Sequence, residues 1–194
     1  MSANEPLPSL YGANPQEIEA LVLSQGLPKY RGVQLSEWIY RKNVLSWEEV
    51  KNLPKDATLK LSEIVRLTTL ESAEVKQAGV AGSAKFLFKT FDGHFLESVL
   101  IAKKDSAEEE DGEEVPEAGG RQTVCVSTQL GCKVQCAFCA SGQGKFTRNL
   151  TAGEIVEQVA RIGRMTGKRV TNVVFMGMGE PLDNFEATLK AVRI

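Results

Sequence analysis

The sequence predicts an α/β protein in which a small helical domain and a β-hairpin precede a series of β/α units. Three observations predict this class: apolar residues at helical spacing near the N-terminus, an Asp-Gly turn between two apolar segments, and a later strand–helix–strand pattern. We expect the helical domain over residues 1–70, the hairpin segment over 71–102, an acidic linker over 103–120 and the β/α units over 121–194. Two parallel strands cannot close a barrel, so the pattern predicts the start of a longer β/α fold.

Capping signals and apolar spacing predict the helices of the first domain. A cap residue followed by proline and an acid predicts one helix that ends near residue 25, and a stripe within residues 30–42 predicts a second. A capping box predicts a short third helix. The residues that carry these signals are Asn14, Pro15 and Glu17, then Leu35, Trp38 and Ile39, then Ser46 and Glu49.

Asp92-Gly93 predicts a hairpin with a two-residue type I′ turn. The register that follows from this turn places Phe88 opposite Glu97. One face of the hairpin would then carry four apolar side chains and one carboxylate, namely Phe86, Phe88, Phe95, Val99 and Glu97. A carboxylate on an apolar face is hard to ionise unless it is paired, which makes Glu97 a candidate acid or base catalyst. The alternatives are a strand-edge Glu97 that reaches solvent, or a different register.

Charge and cysteine usage narrow the class of protein. The linker over 103–120 is acidic and lacks aromatic residues, which predicts a disordered connection. Residues 121–194 carry ten basic and five acidic side chains, a balance that permits contact with phosphates without requiring it. All four cysteines lie between Cys125 and Cys139, which favours metal binding in a reducing cytoplasm over a secreted disulfide framework. We find neither a targeting signal nor an apolar run approaching the roughly 20 residues of a membrane helix.

Cys132, Cys136 and Cys139 form a C-x3-C-x2-C triplet, the most informative motif in the chain. Three thiolates on one short loop can hold three irons of a cubane cluster and leave the fourth iron open for reaction. Alternatively, Cys125 could complete a four-thiolate zinc site, although it lies in the preceding strand and structural zinc sites use two close pairs. A thioredoxin-like use of Cys136 and Cys139 fits less well because a third cysteine stands beside them.

The β/α units are predicted from one amphipathic helix between two strands. The signals are strands at Thr123–Gln129 and Val170–Met176, a capping box at Thr151 and Glu154, a buried stripe of Ile155, Val156, Val159 and Ile162, a helix end at Gly167, and a cap for a further helix at Asn184. The near-continuous apolar run of the second strand predicts that both of its faces are covered.

A glycine-rich segment, Met-Gly-Met-Gly-Glu-Pro, follows the second predicted strand at residues 176–181. Glycine lets a ligand approach the backbone, and Glu180 could accept hydrogen bonds from an ammonium group. A tight turn is an equal alternative for Gly179 and Glu180. Neither this segment nor residues 142–147 has the glycine spacing of a nucleotide-binding loop, and the latter predicts a flexible turn over the cysteine loop.

Taken together, these motifs resemble the radical S-adenosylmethionine (radical SAM) superfamily. The wider sequence is similar to the RlmN/Cfr family of RNA adenine methyltransferases, most of all to the type that methylates C2. The segments that carry this likeness span nearly the whole chain and are residues 30–40, 125–132, 146–150 and 176–181. The resemblance implies that the β/α units are the first part of a partial (β/α)6 barrel.

The resemblance implies a cofactor role for two of the motifs. Cys132, Cys136 and Cys139 would hold a [4Fe–4S] cluster whose open iron binds the amino and carboxylate groups of S-adenosylmethionine. Gly179 and Glu180 would bind the same cofactor. One-electron reduction would cleave it to a 5′-deoxyadenosyl radical.

The resemblance also implies two catalytic residues and a set of partners. Glu97 would accept the proton from the adenine carbon of a flipped base, and Cys125 would resolve a covalent adduct by forming a disulfide. A methyl-carrying cysteine should lie beyond Ile194, so we expect that this chain alone cannot complete methyl transfer. The implied partners are 23S rRNA or tRNA and an electron donor such as flavodoxin. We expect a cytoplasmic monomer that does not bind a membrane. A C8-specific enzyme and a non-catalytic zinc- or RNA-binding module are the alternatives.

Overall fold

Five α-helices and seven β-strands make up the parts of the chain that the computed structural model describes, which are residues 7–77, 83–102 and 121–194. The helices are α1 (Pro15–Ser24), α2 (Tyr30–Tyr40), α3 (Lys55–Ile64), α4 (Ala152–Thr166) and α5 (Phe185–Arg193). The strands are β1 (Leu70–Gln77), β2 (Ala84–Thr90), β3 (Phe95–Ala102), β4 (Gln122–Cys125), β5 (Gln129–Leu130), β6 (Arg148–Asn149) and β7 (Asn172–Val174). The predicted acidic linker lies outside the described residues. Over the described ranges, no helix has the length and apolarity needed to cross a membrane.

The N-terminal helices enclose a core of their own. The Asn14 side chain accepts a hydrogen bond from the Glu17 N–H at 2.9 Å, and the Glu17 carboxylate accepts one from the Asn14 N–H at 2.8 Å. The capping box predicted for α1 is therefore confirmed. In α2, Leu35 and Ile39 are buried and Trp38 packs against them half-buried, as the predicted stripe requires.

The second predicted capping box is wrong. Ser46 precedes a single 3-10 turn, Trp47–Glu49, and among the described contacts its side chain caps no N–H of that turn. The Glu49 carboxylate instead accepts a hydrogen bond from the Leu45 N–H at 3.1 Å and one from Arg164 of α4 at 2.6 Å. A tertiary ion pair thus takes the side chain that the local motif would have used.

The main sheet has five strands in the order β1-β2-β3-β4-β7. Each pair of neighbouring strands from β1 to β4 is antiparallel, whereas β7 runs parallel to β4. Helix α4 covers one face, where Ile155 and Ile162 join Phe86, Phe88 and Val124 in a buried cluster. Strand β1 was not predicted, because it is an edge strand with polar residues and a bulge that interrupts its alternation.

The hairpin forms where it was predicted, but its register differs by one residue. Gly93 has a φ of +83°, and its N–H donates to the Thr90 carbonyl at 2.9 Å, so the loop has three residues rather than two. As a result Glu97 pairs with Leu87 and not with Phe88. Because a one-residue shift moves a side chain to the other face of a sheet, Glu97 lies on the open face and not on the apolar one.

The β/α units follow the prediction closely at helix α4. Thr151 and Glu154 form both halves of the capping box, and Gly167 ends the helix with a φ of +66°. Strand β4 ends at Cys125, earlier than predicted. The reason is that the Ser127 N–H, two residues further on, donates to the Gln158 side chain of α4 and not to a neighbouring strand.

The last predicted strand and cap differ from the structure. Strand β7 was expected to be covered on both faces, but Val173 is 40% exposed because β7 is an edge of the described sheet. Asn184 precedes α5 without capping it among the described contacts. Its side-chain amide donates to the carbonyls of Thr128 and Leu150, both at 2.8 Å, and so ties α5 to the sheet.

Arg148 joins the hairpin turn to the start of α4. Its guanidinium donates to the Asp92 carboxylate at 2.7 and 2.9 Å and to the Glu154 carboxylate at 2.9 and 2.8 Å. The Glu154 side chain is fully buried, so its charge depends on this partner. Hydrogen bonds from Arg148 hold the pKa of Asp92 well below its usual range.

We expect the stability of the fold to fall on acidification through Asp92. A carboxyl whose pKa is lower in the folded state stabilises the fold above its unfolded pKa of about 3.9, and this contribution is lost as pH falls towards the folded value. Asp92→Asn should lower the free energy of unfolding near pH 7 by about 1–2 kcal/mol and weaken its dependence on acid. Urea denaturation at pH 7 and at about pH 3 measures both effects, with Asp56→Asn at an exposed position as control. Equal acid dependence of Asp92→Asn and the unsubstituted protein would contradict this assignment.

Candidate active site

The cysteine triplet lies on the loop that connects β5 to β6, which we call the cysteine loop (residues 131–147). Cys132 is buried, while Cys136 and Cys139 are half-buried. The Cys139 N–H donates to the Cys136 carbonyl at 3.0 Å, which folds the last two ligand candidates into one turn. The C-x3-C-x2-C spacing therefore places three thiols on a single short, partly exposed loop.

The donor set of this loop fits a thiolate-bound metal cluster. All four cysteines lie in the described ranges and carry free thiols. Soft thiolate donors favour zinc and iron–sulfur clusters over hard cations. Within the described part of the chain, no three His, Cys, Asp or Glu side chains are already arranged around a common metal position. The loop thus supplies the donors, and binding a cluster would draw the three thiols together.

Cys125 differs from the other three cysteines. It is the last residue of β4, where it pairs with Val99 of β3 and Val174 of β7. Burial raises the pKa of the Cys125 thiol, which disfavours the thiolate that a zinc ion would need. The four described cysteines form no disulfide with one another, so the disulfide expected for Cys125 stays a prediction.

The cysteine loop begins and ends at a narrow crossing. Gly131 has a φ of +78°, and a Cβ at this position would lie 2.3 Å from the Lys145 carbonyl oxygen. Only glycine fits both the conformation and the contact. The Gly131 N–H also donates to the Met178 sulfur at 2.9 Å, so the first arm of the loop is bound to the segment after β7.

Residues 176–181 form a glycine strap that runs along the end of β4. A Cβ on Gly177 would lie 2.6 Å from the Val126 carbonyl oxygen, and one on Gly179, whose φ is +103°, would lie 2.6 Å from the Gln129 Cβ. The two glycines therefore let two backbones approach more closely than any other residue would allow.

Hydrogen bonds fix the strap in this position. The Met178 carbonyl accepts from the N–H groups of Thr128 at 2.8 Å and Gln129 at 3.2 Å, and the Glu180 N–H donates to the Gln129 side chain at 2.9 Å. One Glu180 carboxylate oxygen accepts from the Leu182 N–H at 3.0 Å. Gly179 thus lies in a bend beside the cysteine loop, and Glu180 begins a turn in which its carbonyl accepts from the Asp183 N–H at 3.1 Å.

A second tie between the strap and the loop was missed by the sequence reasoning. The Asp183 carboxylate contacts Lys133 at 3.1 Å and accepts from the Gln129 amide at 2.6 Å. The hydrogen bond from Lys133 and, to a smaller extent, that from Gln129 lower the pKa of Asp183. The Lys133 ammonium also lies 4.6 Å from the centre of the Phe146 ring. Since Lys133 follows Cys132 directly, the ion pair helps to fix the loop where its first cysteine lies.

A cleft of about 300 Å³ lies between the hairpin, the cysteine loop and the strap. Its walls include His94 and Phe95 from the hairpin, Ser141 and Lys145 from the loop, and Met178 from the strap. A larger cleft of about 660 Å³ lies between the start of α4 and α5, and neither the cysteines nor Gly179 and Glu180 line it. The cysteines, Gly179 and Glu180 do not line the smaller cleft either, but residues next to them do, namely Gly131 and Ala140 of the cysteine loop and Met178 of the strap, so we place the candidate site there.

Glu97 and Cys125 share the open face of the main sheet. Lys85, Val99 and Cys125 pair across β2, β3 and β4 in one row, and Glu97 lies two residues from Val99 and so on the same face. The Glu97 carboxylate forms an ion pair with Lys85 at 2.9 Å, with both side chains about half exposed. Sequence reasoning missed Lys85, because the incorrect register placed it on the opposite face from Glu97.

Both ends of this fold match known families. Residues 126–194 match the radical SAM superfamily, and residues 9–67 match the ribosomal RNA large subunit methyltransferase N-terminal domain. A radical SAM methyltransferase from Sphaerobacter thermophilus, known from its crystal structure, has a TM-score of 0.84 and 40% sequence identity over 97% of this chain and 52% of its own. Residues 126–194 of the chain therefore belong to the radical SAM superfamily.

Two curated relatives of the chain carry the same name. The dual-specificity RNA methyltransferase RlmN of Sulfurovum sp. (strain NBC37-1) is 48% identical over 86% of this chain and 46% of its own length. The protein of the same name from Aliarcobacter butzleri (strain RM4018) is 40% identical over 99% of this chain and 52% of its own length. The chain therefore spans about half the length of these curated relatives.

We expect Gly177→Ala to separate the strap from the cysteine loop. Its Cβ would meet the Val126 carbonyl oxygen, so a backbone must move, at a cost of about 1–3 kcal/mol. Gly167→Ala is the matched control, because it forces alanine into a positive φ of +66° where no described atom lies within 4 Å of the new Cβ. In amide NMR spectra, Gly177→Ala should shift the signals of Gly131 and Glu180, whereas the control should shift only signals at the end of α4. Unchanged Gly131 and Glu180 signals would refute the close contact.

Proposed function

We propose that this chain carries the cofactor-binding part of a radical SAM RNA methyltransferase that modifies C2 of adenine. The observation that carries the proposal is the contact between the cysteine loop and the glycine strap, made through Gly131 and Met178. It ties the loop that carries three free thiols to the strap that carries Gly179 and Glu180. The RNA methyltransferase names of the relatives support RNA as the substrate class. Since those relatives are described as dual-specificity enzymes, we extend the proposal to both 23S rRNA and tRNA.

In this proposal the cysteine loop and the strap hold two groups. Cys132, Cys136 and Cys139 would ligate a [4Fe–4S] cluster, and Gly179 and Glu180 would bind S-adenosylmethionine. When bound and reduced by a one-electron donor such as flavodoxin, the two together supply reductive cleavage of a sulfonium. The glycine at 179 leaves backbone groups open to the cofactor, and the Glu180 carboxylate can accept hydrogen bonds from its ammonium group.

The open face of the sheet would carry the chemistry on the base. We propose that Glu97 accepts the proton lost from the adenine carbon, since its half-exposed carboxylate is free to approach a base laid on this face. Lys85 would hold the carboxylate in place by its ion pair until the base arrives. Cys125, on the same face, would serve as a catalytic thiol that is protonated at neutral pH.

We expect anaerobic reconstitution with iron and sulfide to give a brown protein with about four irons per chain. Alanine at Cys132, Cys136 or Cys139 should each abolish the colour, because three thiolates are the minimum for a site-open cluster. Cys125→Ala is the matched control and should retain iron and colour. A colourless protein that binds one zinc ion, and loses it in Cys125→Ala, would instead support the non-catalytic metal-binding module.

Glu97→Gln should slow methyl transfer because glutamine keeps the size of the side chain and cannot accept the proton. The loss of a positioned general base costs about 10²–10⁴-fold in rate. Because we expect that this chain alone cannot complete methyl transfer, the substitution is made in a full-length form of the enzyme, where radiolabelled methyl incorporation gives the rate and equilibrium dialysis gives the affinity for S-adenosylmethionine. Only the rate should fall, whereas Glu71→Gln on β1 should change neither quantity. A Glu97→Gln variant with the full rate would remove Glu97 from the mechanism.

A further inference from the structure

One buried hydroxyl connects the strand of Glu97 with the glycine strap. Ser127 is fully buried, and its Oγ donates to the Glu97 carbonyl at 2.6 Å and accepts from the Met178 N–H at 2.9 Å. A serine hydroxyl can donate and accept at the same time, which alanine cannot. Met178 directly precedes Gly179. Two hydrogen bonds through the Ser127 hydroxyl therefore link the backbone of Glu97, the proposed proton acceptor, to the start of the Gly179–Glu180 turn, the proposed cofactor site.

Helix α4 fixes Ser127 from the other side through Gln158, which is also fully buried. The Gln158 side-chain oxygen accepts from the Ser127 N–H at 2.8 Å and from the Ser98 hydroxyl at 2.6 Å. Its side-chain nitrogen donates to the carbonyls of Ser127 at 3.0 Å and Glu154 at 3.1 Å. These four bonds use the two acceptor and two donor positions of the amide, so Gln158 has one orientation and holds both backbone groups of Ser127.

The Ser127 hydroxyl hydrogen-bonds to β3 at the point where the backbone pairing of β3 with β4 has ended. The described pairing between β3 and β4 ends at Val99 and Cys125. Continued by two residues, the same register would place Ser127 opposite Glu97. Here the Ser127 backbone is engaged by Gln158, and its side chain makes the cross-strand hydrogen bond to Glu97 instead. The position of β3 relative to the strap therefore depends on one side chain at this point.

We infer that Ser127 is a positioning residue that sets the spacing between Glu97 and the Gly179–Glu180 turn, and that Gln158 holds it in place. This inference rests on the proposed function, in which those residues act on the base and on the cofactor. Without the hydroxyl, the strap loses its hydrogen bond to Ser127 and the end of β3 can shift independently. Displacements of about 1 Å at a reacting centre are enough to cost about 10²-fold in rate.

The test compares Ser127→Ala with Ser98→Ala in the same chain. Both serines are buried and hydrogen-bonded to the Gln158 side chain, Ser98 through its hydroxyl and Ser127 through its backbone, but only the Ser127 hydroxyl contacts Glu97 and Met178. Ser127→Ala should speed hydrogen exchange of the Met178 amide by about tenfold or more, because that amide loses its acceptor. It should also weaken S-adenosylmethionine binding by the reconstituted protein about tenfold. Ser98→Ala should leave both quantities within about twofold of the unsubstituted protein.

Equal changes in the two variants would overturn the inference, since they would show only a general loss of packing. If Ser127→Ala does not fold, Ser127→Thr decides the question, because it keeps the hydroxyl and should keep the Met178 amide protected. A folded threonine variant with an unprotected Met178 amide would also overturn the inference. Exchange is measured without any cofactor, so it tests the link by itself. Absence of S-adenosylmethionine binding in every variant, with the expected exchange at Met178, would instead refute the proposed function and leave the link standing.

Discussion

The close approach of two backbones at the end of β4 is the constraint on which the candidate site depends. Gly177 and Gly179 lie where a Cβ would collide with Val126 and Gln129, and the strap between them is hydrogen-bonded to the segment that leads into the cysteine loop. Because the cysteine loop and the strap are joined at this close approach, one contact sets the position of both. The sites that we propose for a cluster and for its partner cofactor would therefore be brought together by local glycine geometry.

Helix α4 is the platform that makes this contact rigid. Besides its apolar stripe it buries polar groups, each with partners: Glu154 with Arg148, Gln158 with Ser127, and Glu157 with Arg161. Burial raises the pKa of Glu157, whose carboxylate also accepts hydrogen bonds from the segment that enters β1. Removing one partner of such a pair would leave a buried charge unsatisfied, so these contacts fix the helix in one position on the sheet. The same helix thus contacts the N-terminal domain directly, and it is linked to the hairpin turn through Arg148 and to the strap through Ser127.

Local signals were predicted correctly where no tertiary contact competed for the side chain, as happens at Glu49 and Asn184, whereas long-range contacts were not predicted. Capping boxes at Asn14 and Thr151 depend on residues three positions apart, and both are formed as predicted. The register of the hairpin failed because it depends on the conformation of Gly93, which composition does not specify. For the site, the cysteine spacing and the Gly-Glu turn were visible as short motifs. The Ser127–Gln158 contact joins residues 31 positions apart and leaves no local pattern.

In the proposed function, the strap presents S-adenosylmethionine to one open iron of a cluster held by the cysteine loop. Mössbauer spectroscopy of protein reconstituted with isotopically enriched iron, recorded with and without S-adenosylmethionine, tests this arrangement. The cofactor should change the signal of one iron in about four and leave the others unchanged, since a three-cysteine cluster has a single position without a protein ligand. Four irons that remain equivalent when the cofactor is added, in a protein that binds it, would rule the arrangement out.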